Sequence, residues 1–249
     1  MRKIALVLSI CSSAFLVHAA DTPQERLTDA TQIFTEIMAT PDKGIPQDLL
    51  EKARCVVIVP GLKQAAFGIG GKFGRGYATC RRDAGGWGAP AAIRVEGGSF
   101  GFQIGASSTD VIMLVMDDHG MRRLMQDKVT LGAEATVAAG PVGRSTAANT
   151  DAQLSAEILS WSRSKGLFAG IALQGATLRP DQDVNQELYG SKLTSKDILM
   201  TDRKVPEEAR PLISVLNKYC RFEDKDKPIE SRAKDSVTGD ADRAKTKKQ

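Results

Sequence analysis

Cys55-Val56-Val57-Ile58-Val59-Pro60 begins the stretch that decides the fold, and Gly68-Ile69-Gly70-Gly71-Lys72-Phe73-Gly74-Arg75-Gly76 continues it. The first segment is rich in β-branched residues, a composition typical of strands, and the second alternates short apolar strings with glycines. Thirteen of the 23 glycines lie between Gly68 and Gly120, which argues against long helices there because glycine disfavours a helix interior. The middle of the chain is therefore predicted to be β structure.

Turn signals divide this middle region into short strands. Asp83-Ala84-Gly85-Gly86, Glu96-Gly97-Gly98 and Ala106-Ser107-Ser108 each combine residues that favour turns. They predict strands near 67–81, 87–95, 99–105 and 109–116, and later apolar runs predict strands near 129–139, 155–163 and 167–178. Because such short connections join antiparallel neighbours, we predict an α+β fold whose core is a mainly antiparallel meander, barrel-like or sandwich.

Helices are predicted on both sides of this β region. Thr22-Pro23-Gln24-Glu25 combines a capping box with proline at the first helical position, and apolar residues then recur at three- and four-residue spacing. This pattern predicts an amphipathic N-terminal helix over 22–39 that ends before Pro41. Further helices, including those that close the chain, are predicted at 47–53, 121–128, 183–189, 195–200 and from Pro206 through Tyr219.

Residues 1–20 have the layout of a secretory signal peptide, with a basic start, an apolar run and small residues at Ala19 and Ala20 where cleavage is expected. The apolar run is shorter than the roughly 18 residues that a membrane-spanning helix needs. Lipidation of Cys11 is an alternative, although Ile10 is bulky where a lipobox has a small residue. The sequence thus predicts an exported protein that is periplasmic or associated with the cell envelope.

The remaining chain is predicted to form one domain and a tail. Residues 21–221 suit one β-rich domain with flanking helices. Residues 222–249 are nearly all charged or small, and they carry too little apolar surface to offset the entropy of ordering, so a disordered tail is predicted. The formal charge is only +4, with basic residues spread along the chain, which does not favour nucleic acid as a partner.

Three cysteines remain after removal of the signal peptide, and an oxidising compartment favours one disulfide and one spare thiol. If the strand at 55–60 pairs antiparallel with the strand that ends near 80, Cys55 and Cys80 lie opposite each other. Cys220 lies at the end of a later helix. The predicted disulfide therefore joins Cys55 to Cys80.

Catalytic chemistry is disfavoured, because His119 is the one histidine left outside the signal peptide. It lies between Asp118 and Gly120 in a predicted turn, where a solvated residue is a better interpretation than a triad base. The cysteines are too widely spaced for zinc, and Phe73 stands where both phosphate-binding glycine motifs require another residue. We therefore predict no enzyme activity, no metal site and no cofactor.

Basic residues of the β region and of the helix after it are candidate contacts for lipid head groups. They are Lys63, Lys72, Arg75, Arg81, Arg82, Arg94, Arg122, Arg123 and Lys128. The alternative is scattered solvation, since the sequence does not show whether they share a face. The N-terminal helix is a weaker lipid candidate because acidic residues dominate its polar face, and its apolar face is expected at least equally to pack on the β domain.

Six ordered motifs between about Ala53 and Gly190 resemble the SYLF family. They are Val59-Pro60 with Gly74-Arg75-Gly76, Gly86-Trp87-Gly88-Ala89-Pro90, Ser99-Phe100-Gly101-Phe102-Gln103-Ile104-Gly105, Gly140-Pro141-Val142-Gly143-Arg144, Ser164-Lys165-Gly166-Leu167-Phe168-Ala169-Gly170 and Leu188-Tyr189-Gly190. Gly88 departs from the serine that the family often has. The resemblance implies a compact β-rich domain that binds phospholipids, phosphoinositides in eukaryotic members, without catalysis. Actin binding is described for some fungal members of the family, which includes actin-patch proteins, but it is not carried over to an exported chain.

These observations together predict a non-enzymatic phospholipid-binding domain of the cell envelope that associates peripherally with a phospholipid membrane surface. The alternative is a structural or protein-binding envelope factor that docks an unidentified protein through the helix at 22–39 or through the tail.

Overall fold

The computed structural model describes residues 22–39, 44–83, 85–143, 153, 155–164 and 167–220, without the side chains of 66–69 and 99–104. The predicted signal peptide and the predicted tail at 222–249 lie outside the described residues. Within the described ranges, every helix is too short or too polar to cross a bilayer.

Two helices, α1 (Pro23–Ala39) and α2 (Gln47–Lys52), precede two long strands, β1 (Cys55–Cys80) and β2 (Ala91–Val115). After α3 (Asp118–Leu124) come the short strands β3 (Val129–Thr130), β4 (Val137–Ala139), β5 (Ile158–Ser164), β6 (Leu167–Gly170) and β7 (Thr177–Pro180). The described chain closes with α4 (Gln182–Tyr189), α5 (Ser195–Leu199), a 3-10 turn (Glu207–Ala209) and α6 (Arg210–Tyr219).

The strands form one sheet in the order β3-β7-β2-β5-β4, with β1 paired to β2 and β6 paired to β5. All of these pairs are antiparallel except β4 with β5. The sheet curls into a half-barrel with helices at both ends of the chain, so the predicted α+β fold with a mainly antiparallel core is confirmed.

Two of the three predicted turns are wrong. The turn at 83–86 is present, and positive φ angles at Gly85 and Gly86 make it possible. At 96–98 and 106–108, however, β2 continues without interruption, and Gly97 and Gly98 pair in register with β1. Glycine pairs signal a turn only when no neighbouring strand continues the ladder, and here β1 does so along nearly the whole of β2.

The predicted helix at 121–128 is also shifted. It begins at Asp118 and ends at Leu124, because Asp117 caps it by accepting a hydrogen bond of 2.7 Å from the Gly120 N–H. His119 therefore lies in the first turn of a helix rather than in an open turn.

The ribbon formed by β1 and β2 folds back on itself, which brings the two ends of β1 together. Register shifts between Val59 and Leu62 and between Phe67 and Ile69 mark two irregular points of the strand. The Arg81 N–H donates to the Arg54 carbonyl at 2.8 Å, and the adjacent cysteines, Cys55 and Cys80, form a disulfide. The pair predicted from the sequence is thus the pair joined in the structure, and Cys220 is free and buried, which raises the pKa of its thiol to about 12.

Gly76 permits this close approach. A Cβ atom there would lie 2.0 Å from the Ile58 carbonyl oxygen and 2.8 Å from the Val59 Cα. No side chain fits at such distances, so the glycine-rich segment serves close backbone packing, as the strand interpretation predicted.

Alternating residues of the sheet divide the interior into two cores. Val56 and Ile58 belong to a cluster with α1, α2 and α6, whereas Val57 and Val59 belong to a cluster on the opposite side, inside the curled sheet. Because successive strand residues point to opposite faces, β1 is covered on both faces where it begins, at Val56–Val59.

Helix α1 is held by its apolar face and by polar contacts at both ends. Leu27, Ile33, Phe34 and Ile37 are at most 5% exposed, and near the helix start the Tyr77 hydroxyl donates to the Pro23 carbonyl at 2.9 Å. Near its end Glu36 pairs with Arg163, which also binds Asp110 of β2 at 2.9 Å. The packing interpretation of this helix is therefore confirmed.

Glu157 connects α3 to the start of β5. Its carboxylate pairs with His119, accepts a 2.8 Å hydrogen bond from the Thr136 N–H, and lies 3.5 Å from Arg123. Burial alone raises the pKa of Glu157, but the contacts with His119, Thr136 and Arg123 outweigh burial and lower the pKa below 4.5.

Replacing Gly76 with alanine should lower the free energy of unfolding by about 3 kcal/mol or more, because the clash is with backbone that cannot move aside. Urea unfolding of the two proteins measures this. Gly105→Ala is the matched control, since a Cβ there meets nothing within 4 Å. An equal loss of unfolding free energy in both variants would contradict the close approach of Gly76 to Ile58 and Val59.

Glu157→Gln should change the pH dependence of stability. Because the pKa of Glu157 is lowered on folding, its charged form stabilises the fold above the ordinary value of 4.5, and this stabilisation is lost as the pH falls through the folded-state pKa. The difference in unfolding free energy between wild type and variant should therefore be largest near neutral pH and shrink in acid. The surface substitution Glu208→Gln provides the control, and a difference independent of pH would contradict the assignment.

Candidate anion-binding surface

Three arginines lie in one row across three neighbouring strands, and we call them the arginine row. Arg75 of β1 is directly opposite Arg94 of β2, and Arg94 is directly opposite Arg179 of β7. Directly opposed residues of antiparallel strands share a face, with Cβ atoms about 5 Å apart. The pairing register therefore places three guanidinium groups side by side.

Two carboxylates partly balance these charges. Glu96 lies 3.0 Å from Arg94 and 3.6 Å from Arg179, and the buried Asp181 lies 3.1 Å from Arg75. Like charges on directly opposed positions are normally destabilising in a sheet. Because three arginines face only two carboxylates, the row keeps an excess of positive charge. Each of its arginine side chains is more than a third exposed.

Phe73 adds an aromatic side chain beside the row. It precedes Arg75 by two residues on the same strand, and therefore lies on the same face. Its side chain belongs to the small set of exposed large hydrophobic residues, at 46% exposure, and the Arg75 guanidinium lies 5.9 Å from its ring centroid. An exposed aromatic ring beside cationic groups is suited to the interface of a membrane.

The nine basic residues predicted from the sequence do not form one surface. Arg75 and Arg94 belong to the row, and Lys128 immediately precedes β3, which pairs with β7. Lys72 is half-buried on β1, Lys63 lines a groove with Asp110 and Arg163, and Arg123 is bound to Glu157. The remaining three, Arg81, Arg82 and Arg122, line a separate cleft.

Sequence reasoning missed Arg179 of the row and Arg54 of the cleft. The alternation of β7 shows which residues share a face, but only the pairing of β7 with β2 places Arg179 next to Arg94.

The cleft has a volume of about 720 Å³ and lies beside the turn at 83–86. Its best-ordered cation is Arg81, whose guanidinium donates to the carbonyls of Ala53 and Leu50 and stacks 4.6 Å from the Trp87 ring. Burial lowers the pKa of Arg81 from its ordinary value.

His119 is solvent-exposed, as the sequence predicted, but it lies in the first turn of α3 instead of an open turn. Its side chain is about half exposed and pairs with the carboxylate of Glu157. A histidine–carboxylate pair occurs in catalytic triads and also in ordinary structural ion pairs, so the pair alone does not indicate catalysis. Among the described residues, no serine, threonine or cysteine side chain hydrogen-bonds to His119. In the same ranges, His, Cys, Asp and Glu form no group of three or more that is suited to a metal ion.

Several of the family-like motifs pack against one another. Tyr189 donates to the Pro90 carbonyl at 2.6 Å, and Trp161 donates to the Pro141 carbonyl at 2.9 Å. A Cβ on Gly140 would lie 2.0 Å from the Trp161 ring, so glycine is required there. These motifs therefore fix the packing of distant segments, and one of them also carries Arg75 of the arginine row.

Comparison with known proteins identifies the fold family. Residues 96–219 match the family described as Ysc84, "Las17-binding protein actin regulator". The chain is 34% identical over 189 residues to the SH3 domain-containing YSC84-like protein 1 of Rattus norvegicus, covering 75% of this chain and 55% of that protein. It is 32% identical over 203 residues to the Homo sapiens protein of the same name, covering 80% and 59%.

A yeast relative gives the same result. Protein YSC84 of Saccharomyces cerevisiae is 35% identical over 178 residues, covering 70% of this chain and 38% of that protein. The chain thus spans about half the length, or less, of the curated relatives it matches. The matched motifs and relatives agree with the resemblance found in the sequence, and the chain belongs to the Ysc84 family of SYLF-domain proteins.

Proposed function

We propose that this SYLF domain is a non-enzymatic module that binds anionic phospholipid at a membrane surface through the arginine row and Phe73. The observation that carries the proposal is the in-register alignment of Arg75, Arg94 and Arg179 across three strands. Such an alignment costs stability unless an anion balances it.

Phosphate is the anion that this arrangement suits best. Guanidinium groups bind phosphate oxygens through paired hydrogen bonds, and three of them side by side present a cationic strip about 10 Å long. Glu96 and Asp181 neutralise part of the strip, which favours a moderate affinity for anionic lipid over a strong preference for one head group. Phe73 supplies the apolar contact that head-group attraction alone lacks.

Helix α1 does not supply this lipid contact in the folded domain. Its apolar residues are buried against the sheet, and Glu36 is bound to Arg163. Insertion of this helix into a bilayer requires that it leave the domain and expose the core beneath it. The sheet surface requires no such change.

The location of the protein is part of the same proposal. The signal-peptide layout of residues 1–20 supports export, and a protein that is periplasmic or envelope-associated has anionic lipid within reach.

Protein binding is the second candidate function. The family description names a Las17-binding actin regulator, and a yeast relative is named LAS seventeen-binding protein 3. In this chain Leu167 on β6 is 77% exposed and Val142 is 41% exposed, so they offer apolar contact area. The apolar face of α1, proposed earlier as a docking element, is occupied by the domain itself.

Vesicle co-sedimentation tests the lipid proposal with residues 21–249, which retain every described element. The protein should bind vesicles that mix phosphatidylcholine with phosphatidylglycerol, and binding should weaken with added salt. Arg94→Gln combined with Arg179→Gln should weaken binding roughly 30-fold, because each basic residue near an anionic surface contributes about 1 kcal/mol. Arg75 is left intact because it neutralises the buried Asp181.

The matched control is Lys52→Gln combined with Arg210→Gln, which removes two exposed positive charges elsewhere. This variant should bind nearly as well as wild type, and Phe73→Ser should bind less well. Absence of binding at low salt, or equal weakening in both double variants, would overturn the proposal and favour protein binding.

A further inference from the structure

We infer that the cleft beside the turn at 83–86 binds a small anionic amphiphile, a molecule with a phosphate or carboxylate head and a single apolar chain. The cleft shares no residue with the arginine row, so this inference stands independently of the proposed function. Its volume of about 720 Å³ lies in the range of small-molecule sites.

Four guanidinium groups line the cleft, together with the three carboxylates of Asp83, Asp118 and Asp202. Arg54 and Arg81 come from opposite ends of β1, and Arg82 and Arg122 come from the following turn and from α3. The disulfide between the residues adjacent to Arg54 and Arg81 fixes the spacing of these two.

Arg82 and Arg122 are the cations that can contact a ligand directly. Arg81 is occupied by carbonyl groups of the α2 end, and Arg54 is paired with Asp118 at 3.1 Å. Arg122 is exposed and lies within 4.0 Å of no carboxylate among the described residues. Arg82 lies 2.6 Å from Asp202, whose side chain is 79% exposed.

Asp202 therefore occupies a position that a ligand anion can take. Its carboxylate lies at the cleft wall, and its high exposure means that displacement into water costs little. A phosphate or carboxylate head that replaces it contacts Arg82, with Arg122 also facing the cleft.

The cleft also has apolar lining residues. Met121, Leu199 and Met200 line it, and Met200 is 51% exposed whereas Leu199 is 3% exposed. Flexible methionine side chains adapt to alkyl chains of different shape. An anionic head on the arginines and an alkyl chain on the methionines together account for both kinds of lining residue.

Isothermal titration of residues 21–249 with dodecyl phosphate, kept below its micelle concentration, tests the inference. The wild type should bind it more tightly than inorganic phosphate, because the alkyl chain adds contact with the methionines. Arg82→Gln with Arg122→Gln should weaken binding at least about tenfold, the effect of losing a charge-assisted contact. Asp202→Asn should strengthen the binding of dodecyl phosphate, since it frees Arg82 from its ion pair. If Arg82 and Asp202 served only to stabilise the fold, this substitution would not increase the affinity.

Two further variants and one spectroscopic measurement locate the site. Met200→Ser should weaken dodecyl phosphate but leave inorganic phosphate unchanged, and the methyl resonances of Met121 and Met200 should shift when the ligand binds. Lys52→Gln with Arg210→Gln removes two exposed positive charges outside both surfaces and should bind dodecyl phosphate as wild type does. Absence of binding, binding insensitive to the Arg82 and Arg122 changes, or equal affinity for inorganic phosphate would overturn the inference.

Discussion

The contact of β1 with itself is the constraint on which the rest of the structure depends. The end of the strand can approach its beginning only because Gly76 has no side chain where the Ile58 carbonyl lies. A few residues farther along each segment, the disulfide between Cys55 and Cys80 fixes the same approach. A long two-stranded ribbon has little stability alone. Folded back in this way, the ribbon encloses one apolar core and presents its outer face to the helices.

Both candidate surfaces are built on this contact. Arg75 of the arginine row is adjacent to Gly76, and Arg54 and Arg81 of the cleft are adjacent to the two cysteines. These three arginines therefore lie directly beside the residues at which the two ends of β1 come together. A rigid backbone can hold like charges close together, because the chain cannot relax to separate them.

The motifs shared with the family serve mainly this architecture. Trp161 packs on Gly140, where a Cβ atom would lie 2.0 Å from the ring, and the Tyr189 hydroxyl donates to the Pro90 carbonyl, so each contact joins segments that are distant in sequence. Of the arginine row, Arg75 lies within one of the motifs, whereas Arg94 and Arg179 lie outside them. Function depends on such surface residues, so relatives with the same fold can differ in what they bind.

The sequence by itself determined the local features of this protein. The β-branched run from Cys55, the capping box before α1 and the turn at 83–86 all depend on neighbouring residues, and each is found where the pattern predicted it. The predicted disulfide also names the right pair, although Cys55 and Cys80 lie at opposite ends of one long strand and Cys55 pairs in register with Val115.

Only the tertiary structure decided which distant residues meet. Glycines at 97 and 98 favour a turn locally, yet pairing with β1 keeps them in a continuous strand. The nine predicted basic residues separate into different surfaces, and Arg179 joins the row through the register of β7 on β2. Strand register is set by the summed burial and hydrogen bonding of whole strands, which no local pattern contains.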